Sequence, residues 1–220
     1  MVGTVLKVDF RKHDRDVAYT HKGSECASEP IKDVEEINKI CNYFLQEHND
    51  RMLTIFLVGI NTAYRISDIL SLRWEDIKGD KLRKVEQKTG KRRTVYLNDT
   101  VLNALVNWNK VCGNPTEGYV FESYRKKGSP VTRQYVDKQL KQATEALGIS
   151  AHAGTHMMRK TFAYHHILQA KDRSRALEQQ MLLLNHSSLA ITLRYAGITN
   201  DEIMDAYKSV QLGVANFNRA

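Results

Sequence analysis

The sequence has little proline, few glycines and no long apolar run, and each shortage excludes a class of protein. With 3 prolines and 12 glycines in 220 residues, the chain is neither collagen-like nor of low complexity. The longest apolar segment, residues 52–60, is too short to cross a bilayer, and residues 1–16 lack the apolar stretch of a signal peptide. We therefore expect no membrane partner.

The scarcity of cysteine argues against two further classes. The 3 cysteines are odd in number, form no C-x-x-C pair and show no short Cys/His spacing, so neither a disulfide framework nor a metal site is expected. Reduced thiols are typical of a cytoplasmic protein. A hydrophobic content of 42% is sufficient for one sizeable packed domain.

Charge, by contrast, is abundant and clustered. Lysine and arginine number 33 against 25 acidic residues, a net charge of +8. Residues 81–93 contain seven basic side chains and a single acid, Glu86, and a second basic run follows at residues 125–127. A run of like charge is often only a solvated face, but two such runs in a basic protein favour a nucleic-acid partner. The residues expected to contact DNA phosphates are Lys81, Arg83, Lys84, Lys91, Arg92, Arg93, Arg125, Lys126 and Lys127.

Apolar residues recur at helical spacing along most of the chain. We expect Pro30 to lie in the first turn of the first helix, and Asp50 and Ser67 to cap the next two. The spacing predicts helices at residues 30–47, 52–64, 67–72, 100–111, 132–147, 155–169, 173–184, 189–195 and 200–209.

Alternation of apolar with polar residues replaces helical spacing in one stretch. Over residues 82–97, with Thr89 and Gly90 between the two arms, it predicts a β-hairpin, and a further short strand is expected at residues 119–121. Residues 1–27 are weakly patterned and are interpreted as a leading arm. The predicted fold class is α+β, mostly helical with one small antiparallel sheet.

Four short stretches combine residue types that handle phosphate chemistry. They are Tyr64–Trp74, Glu86–Lys91, His156–Ala163 and Leu184–Ser188, and Tyr195 follows the last of them. Together and in this order they resemble the tyrosine recombinase (phage integrase) family. The resemblance implies a catalytic domain with the DNA breaking-rejoining enzyme fold over residues 28–220. It implies the catalytic residues Arg65, Lys88, His156, Arg159, His186 and Tyr195.

The implied reaction is site-specific recombination or integration of duplex DNA through a covalent 3′-phosphotyrosine intermediate. Tyr195 would attack the scissile phosphate, while the planar guanidinium groups of Arg65 and Arg159 would stabilise the charge that builds on its oxygens. His156 lies three residues before Arg159, on the same helix face, and matches the general base of the family. Lys88 matches the hairpin lysine that protonates the leaving 5′ oxygen.

The remaining implied roles are supporting ones. Lys84 and Lys91 are rivals for the lysine position, although the Lys-Thr-Gly context favours Lys88. His186 matches a side chain that hydrogen-bonds the phosphate, and Asp68 matches an acidic position that holds the first arginine and its neighbours in place. The phosphotyrosine link retains the bond energy, so the chemistry implies no metal and no nucleotide cofactor.

The resemblance also raises questions of organisation. Relatives usually carry a separate DNA-binding domain before the catalytic one, so the chain is expected to be either a short, catalytic-domain form or one part of a longer protein that carries that domain. The implied assembly is a homotetramer on two paired recombination sites, in the cytoplasm of a bacterium as a phage or mobile-element protein acting on the nucleoid. Residues 198–207 would dock on a neighbouring protomer or on their own domain. Type IB topoisomerase-like relaxation and a non-cutting DNA-binding accessory role are the alternatives.

Overall fold

The computed structural model describes residues 28–88, 90–149 and 153–198. None of the described helices is long and apolar enough to cross a membrane. The predicted fold class, mostly helical α+β with one small antiparallel sheet, is confirmed. In chain order the elements are α1 (Val34–Gln46), α2 (Asp50–Thr62), α3 (Ile66–Leu70), a 3-10 turn (Trp74–Asp76), β1 (Ile77–Lys78), β2 (Lys81–Val85), β3 (Arg92–Tyr96), α4 (Asp99–Val111), α5 (Arg133–Ala146), α6 (Thr155–Gln169), α7 (Arg173–Leu184) and α8 (Leu189–Ala196).

Helix α2 lies at the centre of the core because its sequence is apolar on nearly every side. The side chain of Asn49 caps it by accepting a hydrogen bond from the backbone N–H of Met52. The helix packs against α1, α4 and α6. It ends at Thr62, where Ala63 adopts a left-handed conformation with φ of 54°. That turn leads the chain directly to Arg65.

Helix α6 approaches α2 closely at Gly59. A Cβ built on Gly59 would lie 2.6 Å from the Sδ and 2.9 Å from the Cβ of Met158, so only a hydrogen atom fits there. At the start of α6, the backbone N–H of Thr155 donates to Oδ1 of Asp137 on α5 at 2.7 Å. These two contacts fix the end of α6 that carries two of the predicted catalytic residues.

The three strands of the described residues form one antiparallel sheet in the order β1-β2-β3. The register of β2 and β3 runs from Lys81 opposite Tyr96 to Val85 opposite Arg92. Because side chains alternate between the two faces of a strand, each of these strands presents one exposed face and one face turned toward the protein. Strand β1, only two residues long, is too short to give an alternation signal and was not predicted.

The first helix begins later than predicted. It starts at Val34 after an Asp33 cap, so Pro30 lies before the helix rather than in its first turn. The backbone N–H of Ile31 donates to Oγ1 of Thr161 on α6 at 2.9 Å. This contact between distant parts of the sequence holds the entering chain in a non-helical path.

Two further boundaries are corrected. Asn49 rather than Asp50 caps α2, and α3 begins directly after Arg65, so that Ser67 lies inside the helix. Residues 119–121 form no strand, because only isolated bridges join this region to its neighbours. The predicted arm at residues 1–27 and the predicted helix at 200–209 lie outside the described residues.

Candidate active site

Arg159 occupies the buried face of α6 at the centre of the candidate site. It is 4% exposed, and its Nη1 has no hydrogen-bond partner among the described residues. Burial is the largest effect on its guanidinium and, with the charges of Arg65 and Arg93, lowers its pKa to about 10. A buried cation with an unsatisfied donor is costly, so an anion that entered beside it would be strongly stabilised.

Tyr195 on α8 brings its phenol to Arg159. Burial raises the pKa of Tyr195 above its ordinary value, and the charge of Arg159, with a hydrogen bond from it, opposes that rise only in part. The ammonium of Lys160 lies 5.5 Å from the centre of the tyrosine ring. At neutral pH the phenol is therefore protonated, and it needs a base to become a nucleophile.

His186 is the imidazole in contact with Tyr195. The two ring centroids are 5.1 Å apart at an interplanar angle of 68°. Asn185 ends α7 in a left-handed conformation, and the next residue, His186, places its Nδ1 3.2 Å from Oγ1 of Thr192. Burial, followed by the charges of Arg159 and Arg65, lowers the pKa of His186. Its ring is thus neutral at neutral pH, with one nitrogen able to donate.

Arg65 is held by a carboxylate that the sequence pattern did not single out. Its Nη1 lies 3.1 Å from Oε2 of Glu86, in an ion pair whose side chains are 19% and 9% exposed. Asp68, expected to hold Arg65, is fully buried but accepts a hydrogen bond from the backbone N–H of Gln87 at 2.8 Å instead. Asp68 therefore contacts the hairpin, and Glu86 is the carboxylate that pairs with Arg65.

His156 lies on the first turn of α6, exposed at the surface. Burial of part of its ring and then the charges of Arg133, Arg159 and Lys160 lower its pKa, while Asp137 raises it. The structure thus places His156 near Arg159, as its three-residue spacing predicted. No contact of His156 with Tyr195 occurs in the part of the chain that the structure describes.

Strand alternation sorts the predicted hairpin cations into two groups. Arg83 and Arg92 lie on the exposed face, whereas Lys84 and Arg93 lie on the inner face. The Nζ of Lys84 donates to the carbonyl of Ser71 at 2.6 Å and pairs with Asp76 at 3.3 Å. This differs from the expectation that the whole basic run faces DNA.

The other predicted cations are accessible. Lys88 is exposed at the hairpin turn. Among the described residues, it makes no contact with the other predicted catalytic side chains. The ammonium of Lys81 lies 5.2 Å from the centre of the Tyr96 ring. Lys91 and the second basic run, Arg125, Lys126 and Lys127, are also exposed.

Three residues of the site were missed by sequence reasoning. Glu86 had one detectable signal, since it is the single acid in a basic run, but its partner could not be read from the sequence. Lys160 and Thr192 had none, because their contacts depend on how α6, α7 and α8 pack. Among the described residues, no group of three or more His, Cys, Asp or Glu side chains is placed to hold a metal ion.

The assembled groups have complementary chemical abilities. Two guanidinium groups, Arg65 and Arg159, can bind an anion, the half-buried phenol of Tyr195 can act as a nucleophile, and two histidines of lowered pKa can exchange protons near neutrality. Together these groups are suited to nucleophilic attack by Tyr195 on a phosphodiester. Binding a phosphodiester without cutting it would require only the two guanidinium groups.

Comparison with known proteins defines the class. The model of the phage integrase family matches residues 30–202. A Bacillus subtilis (strain 168) protein named "Probable integrase/recombinase YoeC" is 36% identical over 181 residues, covering 82% of this chain and 95% of that protein. The "Tyrosine recombinase XerC" of Caldanaerobacter subterraneus subsp. tengcongensis is 32% identical over 181 residues, covering 79% of this chain and 48% of that protein. The chain belongs to the phage integrase family, an enzyme family of tyrosine-type site-specific recombinases.

Solved structures show the same fold at lower sequence identity. The crystal structure of XerA recombinase superposes with a TM-score of 0.66 at 18% identity, covering 86% of this chain and 66% of that one. XerH site-specific recombinase, in a post-cleavage complex with its palindromic difH substrate, gives 0.65 at 19% identity, covering 86% and 55%. This chain spans nearly all of YoeC but only about half of the XerC relatives it matches.

Proposed function

We propose that this protein cuts and rejoins duplex DNA at specific sites through a covalent 3′-phosphotyrosine intermediate. The phenol oxygen of Tyr195 attacks the scissile phosphorus, and the bond from phosphorus to the 5′ oxygen breaks. His156 takes the phenol proton, and Lys88 gives a proton to the departing oxygen. Attack by a 5′ hydroxyl on the phosphotyrosine then restores a phosphodiester and frees the tyrosine.

The observation that carries the proposal is the burial of Arg159 against the Tyr195 phenol. A guanidinium that is 4% exposed, with Nη1 unpaired among the described residues, destabilises the fold unless an anion accepts the missing hydrogen bond. The non-bridging oxygens of a phosphodiester supply that anion, and the charge on them grows as the nucleophile attacks. Arg65 contributes a second positive charge close enough to Tyr195 to oppose the rise that burial causes in its pKa.

A covalent-adduct assay tests this proposal. A nicked duplex that releases its 5′-hydroxyl fragment on cleavage traps the phosphotyrosine, and denaturing gel electrophoresis detects the linked protein. We expect an adduct with the wild-type chain and none with Tyr195→Phe, while duplex affinity stays within about threefold because the phenol is one contact among many. Tyr119→Phe is the matched control, since Tyr119 lies in the loop between α4 and α5 and should leave the adduct intact.

The same experiment separates the alternatives. Tight duplex binding without any adduct would identify a non-cutting DNA-binding protein and overturn the proposal. Relaxation of supercoiled DNA without exchange of strands between two parent duplexes would instead indicate topoisomerase-like activity. Products that contain strands from both duplexes identify recombination.

We also propose that the active assembly is a homotetramer on two paired sites, acting on the nucleoid in the cytoplasm. Helices α7 and α8 support this proposal, because four large apolar side chains on them, two of these on the helix of the nucleophile itself, are at least 37% exposed. Single apolar residues on a surface need no explanation, but a group of them marks an interaction surface. The group consists of Leu182, Leu183, Leu189 and Ile191. Light scattering on DNA tests this, with Leu182→Ser and Ile191→Ser expected to leave only monomers on single sites.

A further inference from the structure

We propose that Arg93 and Glu86 form a positioning bridge for Arg65, rather than serving as DNA contacts themselves. The inference rests on the proposed function, because it assigns the bridge the task of presenting Arg65 to the scissile phosphate. Glu86 shares its carboxylate between two arginines: Oε2 lies 3.1 Å from Nη1 of Arg65, and Oε1 lies 3.2 Å from Nη1 of Arg93. All three side chains are largely buried, with exposed fractions of 19% or less.

Arg93 is fixed from two other directions. Its Nη2 donates to the carbonyl of Thr62 at 3.0 Å, and its guanidinium lies 4.8 Å from the centre of the Tyr64 ring. Thr62 ends α2, and a carbonyl there lies at the negative end of the helix dipole, which favours a cation. Arg93 therefore ties strand β3 to the segment that leads into Arg65.

The geometry explains why a direct phosphate contact does not suit Arg93. Two nitrogens of its guanidinium already serve a carbonyl and a carboxylate, and a phosphate would have to displace one of them. Arg65, in contrast, uses a single nitrogen, Nη1, for Glu86, which leaves the rest of its fork for substrate. Arg93 is the counter-cation that keeps Glu86 fixed when Arg65 turns toward a phosphate.

Electrostatics also supports a positioning role for Arg93 and a substrate-binding role for Arg65. The charges of Arg65 and Arg93 lower the pKa of Arg159, and Glu86 opposes them. Three guanidinium groups thus share one region with the Glu86 carboxylate. Without Glu86 the repulsion would separate them. Without Arg93 the carboxylate would lose the cation that fixes its other oxygen, so Glu86 and the Arg65 side chain paired with it would both be less ordered.

A double-mutant cycle tests whether Arg93 acts through Arg65. We expect Arg93→Ala to slow single-turnover adduct formation about 30-fold, and by less than about threefold when Arg65 is already alanine. Duplex affinity should change by less than about twofold in Arg93→Ala, since no phosphate contact is lost. Arg93→Lys, which keeps a charge beside Glu86 but lacks the fork, should give an intermediate rate.

Arg73→Ala is the matched control. Arg73 also pairs with a glutamate, Glu75, at 3.3 Å and lies over a tyrosine ring, Tyr119, at 5.1 Å, yet it belongs to an exposed ion pair outside the site. Its removal should leave the cleavage rate within about twofold. Equal slowing by Arg93→Ala in the wild-type and the Arg65→Ala backgrounds would overturn the proposal, as would a loss of affinity in step with the rate.

A second measurement separates this inference from the proposed function. The NMR order parameter of the Arg65 Nε–H vector reports side-chain positioning in the free protein and does not depend on cleavage. It should fall in Arg93→Ala and Glu86→Gln and stay unchanged in Arg73→Ala. An unchanged value in Arg93→Ala overturns the bridge, whereas a wild-type chain that forms no adduct but shows the expected fall contradicts only the proposed function.

Discussion

The two histidines of the site offer different routes for the proton of Tyr195, and pH dependence distinguishes them. Burial lowers the pKa of both His156 and His186, so each ring is neutral at a lower pH than an ordinary histidine. A base works only when neutral, so the adduct rate should fall as pH drops through the base's pKa, with a midpoint below about 6.5, the ordinary histidine value. We expect this acid limb in wild type and in His186→Gln, but not in His156→Gln.

Single-turnover rates between about pH 5 and 8.5, a range that brackets histidine titration, provide the measurement, with duplex binding followed at each pH. A limb that survives in His156→Gln and disappears in His186→Gln would transfer the role of base to His186, the ring in contact with Tyr195. A midpoint above the ordinary histidine value would contradict the effect of burial on both groups.

Arg159 should show a conflict between function and stability. Replacement by methionine, Arg159→Met, removes a buried charge and its unpaired Nη1 while filling much of the same space. We expect the free energy of unfolding to rise by about 1–2 kcal/mol. The adduct rate should fall about 1000-fold because the developing phosphate charge loses its nearest donor. Urea denaturation and the adduct assay measure the two effects, and a marked loss of stability would show that Arg159 is structurally well paired.

Sequence reasoning predicted which residues come together better than how they are held. Arg65, Arg159, His186 and Tyr195 meet as predicted, because each lies in a short motif whose local structure the sequence determines. The partner of Arg65 was assigned to Asp68, three residues away, whereas the structure pairs it with Glu86 on the hairpin. That choice depends on how the sheet packs against the loop before α3, which local periodicity does not contain.

At the scale of elements, the contact between α2 and α6 leaves no room for a larger side chain at Gly59. Gly59→Ala would place a methyl group 2.6 Å from Sδ of Met158, the residue next to Arg159. We expect a loss of about 1–3 kcal/mol in the free energy of unfolding, together with a slower adduct rate as α6 shifts. Urea denaturation and the adduct assay follow both.

Gly154→Ala is the control for this substitution. A Cβ there would meet nothing closer than Oδ1 of Asp137 at 3.7 Å, an ordinary contact. Its cost should stay under about 1 kcal/mol, the effect of alanine at a helix N-cap. Equal destabilisation by the two changes would indicate that the approach of α6 to α2 is not tight.

The elements themselves were largely predictable, and their ends were not. Helices α5, α6 and α7 lie within a residue or two of their predicted ranges because amphipathic spacing and polar caps are local signals. The start of α1 was wrong because Ile31 bonds to Thr161, 130 residues away in sequence. The short strand at 119–121 was wrong because, among the described residues, no neighbouring strand extends its bridges.

At the scale of the whole molecule, the basic side chains behind the net charge of +8 are not all equally exposed to solvent. Alternation along β2 and β3 leaves Arg83 and Arg92 exposed, while Lys84 is neutralised by Asp76 on the inner face. Only cations that reach phosphates release counterions from DNA. Inner and outer hairpin cations should therefore contribute differently to the salt dependence of binding.

The expected result is a difference in slope when log Kd is measured against log salt concentration. Neutralising both outer residues, Arg83→Gln with Arg92→Gln, should reduce the magnitude of the slope by up to about 1.8, because each phosphate contact contributes about 0.9. Lys84→Gln should leave it unchanged, since Lys84 already serves Ser71 and Asp76. Fluorescence anisotropy between about 50 and 300 mM salt, chosen as roughly the range where counterion release dominates, gives the slopes.

A reduction in Lys84→Gln as large as in the outer pair would mean that DNA binding opens the inner face of the hairpin. An unchanged slope in the outer pair would leave phosphate binding to the second basic run at residues 125–127.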